Sequence, residues 1–343
     1  MRTRTPIHLF LAALAAGILC APVPASAAAD APIKLTYANF PPAPTFPCVQ
    51  MEHWAREVEK RTAGKVKVQT FPGGTLLPAK NILDGVISGL ADIGNFAMSY
   101  QPGRFPLSEA IDLPLGFTSS RVASLTLYDL MEKYKPKEFD QVKILALFTC
   151  PPTNFMTRTP VKSLADLKGM ELRVAGTSAE IVKRLGGIPV AMPQSETPEA
   201  IQKGVVKGIV SSMEILQDFK FAAYTPNATV ANLPVVSFAV VMNKQKWDSL
   251  PADVKKVLDD MRREHSLWTG NYVDGHVEEA LGWSKKSYGL QVHTLPASEA
   301  ETVKGLLRPL TEDYIKRVTA LGLPGDQIVA DALALKKKHE LQK

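Results

Sequence analysis

Arg173 is the residue whose setting most plainly asks for chemistry, in the stretch "DLKGMELRVAG" (Asp166–Gly176). Leu172, Val174 and Ala175 make the end of this run read as a short buried strand. A guanidinium there is costly to bury unless an anion neutralises it. Its parallel N–H donors suit a carboxylate. Two partners meet that demand: an external acid in a crevice, or a fixed acid of the chain such as Asp166 or Glu171. The residue types alone do not choose between them.

Enzymatic chemistry has less support. Past residue 27 the histidines are His53, His265, His276, His293 and His339, none in H-E-x-x-H or comparable metal spacing. The glycines of "FPGGTL" follow a strand, but Pro78 and the missing Lys-Ser/Thr pair argue against a phosphate cradle. Cys48 and Cys150 are not in C-x-x-C spacing. With no nucleophile accompanied by a base, the reading is a binding protein without catalysis or cofactor. An exported hydrolase or isomerase using the same crevice is the alternative.

The elements that must position these residues alternate. "IKLTYANF" (Ile33–Phe40) predicts a strand, and "PPAPTFP" a rigid loop into a helix near Cys48. Met51, Trp54, Ala55 and Val58 recur on that helix at core spacing. "GKVKVQTFPGG" predicts a strand ended by glycines. "AKNILDGVISGLADIGNF" predicts a helix burying Ile82, Val86 and Leu90, then a short strand. This βαβα order implies a parallel-type sheet with helices on its faces. A helix over 121–134 and a strand over 142–148 precede the polar "TCPPTN", taken as the first domain boundary. Then come a strand (171–175), a helix (178–185), "GIPV", a helix (195–203) and a strand (206–210). Strands around "TVANLPVVSFAVVMN" carry the chain back to the first domain. A long helix begins at Pro251 with Val254, Val257, Leu258 and Met261 as its apolar stripe. "YGLQVHTL" is a last strand, and two helices finish the chain.

Arg2 and Arg4, the apolar segment from His8 to Cys20, and "PVPASA" ending at Ala27 follow the order of a secretory leader over residues 1–27. That segment is shorter than the ~20 residues a bilayer span needs. The expectation is a mature chain in the periplasm without direct membrane insertion. Of 343 residues, those past the leader exceed the size at which one core stops growing, so two domains are expected. Losing Arg2 and Arg4 takes the formal charge from +6 to +4. The excess is scattered apart from "KKKH" (Lys336–His339), which reads as a solvated helix end and not a nucleic-acid patch. Cys20 leaves with the leader, while Cys48 and Cys150 stay in a compartment that permits a disulfide between them.

Several runs in fixed order carry a family resemblance: "RTAGKVKVQTFPGGTL", "DGVISGLADIG", "GRFPLSEAIDLP", "SLADLKGMELRV", "GIPVAMPQSETPEAIQKGVVKGI" and "VVMNKQKWDSLP". The chain resembles the periplasmic solute-binding subunits of TRAP (tripartite ATP-independent periplasmic) transporters, the C4-dicarboxylate-binding family. The resemblance spans essentially the whole mature sequence. It implies an α/β, two-domain periplasmic solute-binding protein fold with mixed sheets, crossing strands and a long domain-spanning helix. The domains are expected at 31–150 plus about 236–270, and at 151–235 plus about 271–343. The resemblance also implies closure on a small organic-acid ligand and its delivery to sodium-driven TRAP membrane permease subunits. Arg173 matches the family arginine that salt-bridges the ligand carboxylate. A sensor feeding a signalling protein is the alternative destination.

Departures from the family pattern shape the expected ligand. Dicarboxylate-binding members often carry a second arginine where this chain has "PPTN" (Pro151–Asn154), which favours a monocarboxylate over a C4-dicarboxylate or sulfonate. The sialic-acid type asparagine becomes Ser211. A Trp-Glu pair of keto-acid binding relatives becomes Met213 and Glu214, and Ala239 stands where they supply an amide. Glu214 is thus read either as holding a cation or as bonding a ligand hydroxyl. Placement adds Phe40, Phe46, Cys48, Asn95, Phe96, Tyr100, Thr153, Asn154 and Phe238 as pocket candidates, each equally readable as packing or loop structure. Arg104 and Asn243 read as structural braces. Sparse aromatics in the predicted loops favour a small aliphatic acid.

Overall fold

Alternating strands and helices resolve, in the computed structural model, into two mixed sheets. The structure describes residues 31–176 and 178–342, and the leader and Cys20 lie outside the described residues. In chain order, β1 (Ile33–Asn39), α1 (Phe46–Arg61), β2 (Val66–Phe71), α2 (Ile82–Ile87) and β3 (Ile93–Ala97) form the expected βαβαβ run. Next come α3 (Ser120–Tyr134), β4 (Val142–Thr149) and β5 (Thr153–Thr157). The second run is β6 (Glu171–Val174), α4 (Ser178–Arg184), β7 (Ile188–Ala191), α5 (Thr197–Gln202), β8 (Gly208–Ser211) and α6 (Ile215–Asp218). Then follow β9 (Asn227–Leu233), β10 (Ser237–Asn243), α7 (Lys244–Ser249), α8 (Ala252–Tyr288), β11 (Gln291–Thr294), α9 (Ala297–Ala320) and α10 (Gly325–Leu341).

The first sheet has the order β2-β1-β3-β10-β4 and the second β11-β9-β5-β8-β6-β7. Within the first, β1 pairs parallel with β2 and β3; within the second, β6 pairs parallel with β7 and β8. Each sheet therefore has a set of parallel strands whose carboxyl ends point one way. Besides α8, which leads from β10 in the first sheet to β11 in the second, two extended segments cross between the sheets, from β4 to β5 and from β9 to β10. The crossings run side by side: Cys150 N–H donates to Val236 O at 3.0 Å, and the Thr153 hydroxyl donates to Pro234 O at 2.8 Å.

Core burial explains the helices. On α1, Phe46, Gln50, Met51, Trp54 and Val58 are buried along one face. The 37 residues of α8 reach about 55 Å. Its first half packs Val254, Leu258 and Met261 into the core under the first sheet, while Val277, Leu281 and Trp283 pack against a core under the second. Gly270 lies where α8 meets α3; a Cβ there would come within 2.7 Å of Arg121 Cα.

Four expectations need correction. The helix α2 stops at Ile87 because Gly89 takes a left-handed conformation and Leu90 N–H closes back onto Gly85 O, which leaves Leu90 66% exposed. The "TCPPTN" boundary loop runs directly into β5, whose polar Thr153 and Asn154 are buried in the second sheet. Helix α10 packs on α3, with Ile328, Val329 and Ala332 in the first core, so the expected assignment of 271–343 to the second domain fails for that helix. His339 of the "KKKH" run is buried against Asp129 at 2.9 Å and does not sit on a solvated end.

Gly270→Ala should overpack the α3–α8 crossing and lower unfolding stability by about 1–3 kcal/mol in urea titrations. A midpoint equal to that of the wild type would contradict this close approach.

Candidate functional site

Ligands of open α/β sheets sit beyond the carboxyl ends of parallel strands. Both sheets here deliver side chains from such ends to one cavity. Phe40 follows β1 and Tyr100 follows β3, whereas Arg173 lies near the end of β6, Gln194 follows β7, and Ser211, Ser212 and Glu214 end or follow β8. The segments after β3 and β6 approach so closely that a Cβ on Gly176 would lie 2.5 Å from Ser99 O.

Arg173 is 2% exposed. Its Nε donates to Met192 O at 3.1 Å, and its Nη2 donates to Met192 O at 2.8 Å and to the Tyr100 hydroxyl at 3.2 Å. Its Nη1 donates to the Gln194 side-chain oxygen. Every one of these acceptors is neutral. The intramolecular partners Asp166 and Glu171 are not used: Asp166 caps its own turn through Ser163. Burial pushes the guanidinium pKa down, with Tyr100, Cys150 and Glu196 pulling it back. Because Arg173 Nη1 is a donor, the Gln194 oxygen must face it. That turns Gln194 Nε2 away, buried and without a hydrogen-bond partner. The Tyr100 hydroxyl accepts from both Arg173 and Gln194 N–H (2.9 Å), which leaves its own hydrogen to donate.

A second polar group is built around Glu214, which is 1% exposed. Its Oε1 accepts from the Ser212 hydroxyl at 2.6 Å, while Oε2 is buried without a partner. Burial pushes this carboxyl up to about 7. Nearby, Asp218 Oδ1 lies 2.7 Å from His276 Nε2, and Asp218 Oδ2 accepts from Phe46 N–H at 3.2 Å. Helix α1 makes no side-chain cap of its own at Thr45. Asp218, from the second sheet's side, therefore satisfies a free N–H at the helix start and favours its positive end. The Asp218 bond holds His276 up to about 9.

The cavity bounded by these groups has about 50 Å³ of free space, and the lining includes Phe40, Phe46, Tyr100, Phe219 and Phe238. Four of these five rings, all but Phe219, stand among the pocket candidates, and together the five weigh against the expectation of a small aliphatic acid. Of the residues expected from sequence, Arg173, Ser211, Glu214, Phe40, Phe46, Tyr100 and Phe238 line this cavity. Others serve elsewhere. Met213 and Asn154 line a separate cavity, and Asn154 Oδ1 accepts from Ala231 and Asn232 N–H at a strand irregularity. Thr153 ties the crossings together, Asn95 bonds Asn39, and Phe96 packs on Phe105 in the first core. Cys48 and Cys150 are free buried thiols, so the disulfide is not formed. Cys48 donates to Pro41 O, with burial pushing its thiol up to about 12, and Cys150 Sγ accepts from Val236 N–H. Arg104 braces Asp84 at 2.6 Å and Asn243 caps α7, as expected. Among the described residues no group of three or more His, Cys, Asp or Glu side chains could hold a metal ion. Among the described residues, three larger cavities of about 300, 380 and 590 Å³ are lined by no buried cation.

Sequence reasoning missed Gln194, Asp218, His276 and Phe219. Gln194 had a readable signal, as a polar residue just past a strand end in "GIPVAMPQ". The Asp218–His276 pair joins residues 58 positions apart and had none.

Fold and site together define a solute receptor. The family model for bacterial extracellular solute-binding proteins, family 7, matches residues 41–317. The chain belongs to this family, as a periplasmic solute-binding protein of the TRAP type. A TRAP periplasmic solute-binding protein from Desulfovibrio salexigens, solved as an open complex with the C-terminus of a symmetry mate in its ligand-binding site, is 51% identical. The match covers 91% of this chain and 98% of that one, with a TM-score of 0.82. A marine metagenome TRAP solute-binding protein specific for aromatic acid ligands, solved with 3-hydroxybenzoate, is 29% identical over 90% of this chain and 99% of its own, with a TM-score of 0.86. The C4-dicarboxylate-binding periplasmic protein DctP of Rhodobacter capsulatus is 26% identical over 76% of this chain and 80% of its own. No described helix is long and apolar enough to cross a membrane.

The site makes stability fall with rising pH. Glu214 is raised from 4.5 to about 7, so the folded chain keeps a proton that the unfolded chain releases. That stabilisation is full below pH 4.5 and is lost as pH rises through about 7. For His276, raised from 6.5 to about 9, the stabilisation is full below pH 6.5 and lost through about 9. Melting temperature should fall in two steps between about pH 5 and 10. Glu214→Gln should remove the lower step and His276→Gln the upper one. Two variants that keep the wild-type profile would contradict these environments.

Proposed function

We propose that the chain captures a small organic monocarboxylate in this cavity through a salt bridge from Arg173 and delivers it to sodium-driven TRAP membrane permease subunits. The observation that carries this reading is a fully buried guanidinium whose partners are all neutral oxygens. An entering carboxylate supplies the missing charge and takes further hydrogen bonds from Gln194 Nε2 and the Tyr100 hydroxyl. Family membership supports the delivery step.

Charge and shape narrow the acid. The lining adds Glu214 and Asp218 and, among the described residues, no second cation, which favours one negative charge over the two of a C4-dicarboxylate. A sulfonate satisfies the same fork, with a third oxygen to place. The five aromatic rings favour an apolar or aromatic body, in keeping with the relative specific for aromatic acids. Since the walls come from both sheets, entry and capture involve an open and a closed arrangement, with ligand contacts on both sides favouring closure.

Arg173→Gln should abolish the rise in melting temperature given by the acids the wild type binds. The expected loss is about 2–5 kcal/mol of binding energy, at least ~30-fold in Kd by calorimetry. The unliganded variant should melt no lower than the wild type, since a costly buried charge has gone. Unchanged affinity rejects the salt bridge.

A further inference from the structure

The mouth of β8 presents a problem of charge that the monocarboxylate reading leaves open. Glu214 Oε2 is buried in the wall of an anion-binding cavity and has no hydrogen-bond partner. The groups facing it come from several elements: Ser212 beyond β8, Asp218 on α6, His276 on α8 and Cys150 at the first crossing. Arg173 on β6 lines the same cavity. The cations are Arg173 and His276, and His276 is already matched by Asp218 at 2.7 Å. Once a carboxylate has matched Arg173, no cation among these groups is left for an ionised Glu214. A third buried negative charge would then sit without compensation, which low-dielectric surroundings penalise heavily.

Neutral Glu214 has none of that penalty. Its Oε1 already accepts from Ser212, so the proton belongs on Oε2, where it becomes a donor in need of an acceptor. We propose that Glu214 binds the ligand as a protonated acid, donating from Oε2 to an oxygen of the ligand, so that capture of the anion takes up one proton from solvent. The inference rests on the monocarboxylate reading and extends it. The preferred ligand carries an acceptor that Glu214 can meet, such as a hydroxyl or keto oxygen or the second carboxylate oxygen. Burial already raises this carboxyl to about 7 in the unliganded protein, so the proton is missing mainly above neutrality.

Calorimetry in buffers of different ionisation enthalpy reads the proton directly, using the full chain with benzoate, 3-hydroxybenzoate, lactate and pyruvate as probes. For each probe that binds, uptake should approach about 0.9 proton at pH 8 and fall to about 0.1 at pH 6, where Glu214 is already protonated. Affinity should drop about tenfold per pH unit above neutrality. His276 stays largely charged over that range. In Glu214→Gln, which offers an N–H donor that does not titrate, uptake should vanish and the slope of affinity against pH should flatten. Binding without proton uptake at pH 8, or uptake that persists in Glu214→Gln, overturns the inference and leaves the salt-bridge reading intact. If none of the probes binds, both the monocarboxylate reading and this inference fail.

Discussion

A single cation held away from water governs the architecture of this receptor. Arg173 is positioned by the backbone carbonyl of Met192, the amide of Gln194 and the phenol of Tyr100, and none of the three neutralises it. Fixing a guanidinium this way gives geometry without charge compensation. Its position is set by β6 at the middle of three parallel strands, with the β7 end supplying Met192 and Gln194. Tyr100 reaches it from the other sheet, so the same contact that orients the cation also links the two sheets.

The rest of the fold serves to bring the carboxyl ends of two parallel strand sets to one cavity while keeping the connection between them narrow. Side-by-side crossings joined at Cys150 and Val236 provide that connection, and α8 runs alongside with one half on each core. In the same lining, Asp218 ties the start of α1 to His276. Two polar bridges therefore span the cavity, one through Arg173 and Tyr100 and one through Asp218 and Phe46.

Much of this was legible in the chain because it rests on local patterns. The apolar spacing of α1 and α8 gave their core faces, and the βαβ order gave the sheets. Arg173 stood out because a charge interrupts an apolar run. What remained hidden depends on distant partners or on local chemistry that competes with periodicity. Strand β5 was concealed by Pro151, Pro152 and the polar Thr153 and Asn154, whose side chains find backbone partners across the crossing. Leu90 sat at helical spacing, yet Gly89 ended the helix before it. The aromatic weight of the lining was underestimated because its rings come from separate segments, and Phe219 carried no local signal. Cysteine counting permitted a disulfide, whereas each thiol has its own backbone partner.

Whether an external anion completes Arg173 is answered by a crystal structure of the protein with the acid that it carries through purification. A carboxylate should lie against the Arg173 guanidinium with N···O distances of about 2.8 Å, flanked by Gln194 and Tyr100. An acid bound elsewhere, with Arg173 still satisfied by Met192, Gln194 and Tyr100 alone, would contradict it.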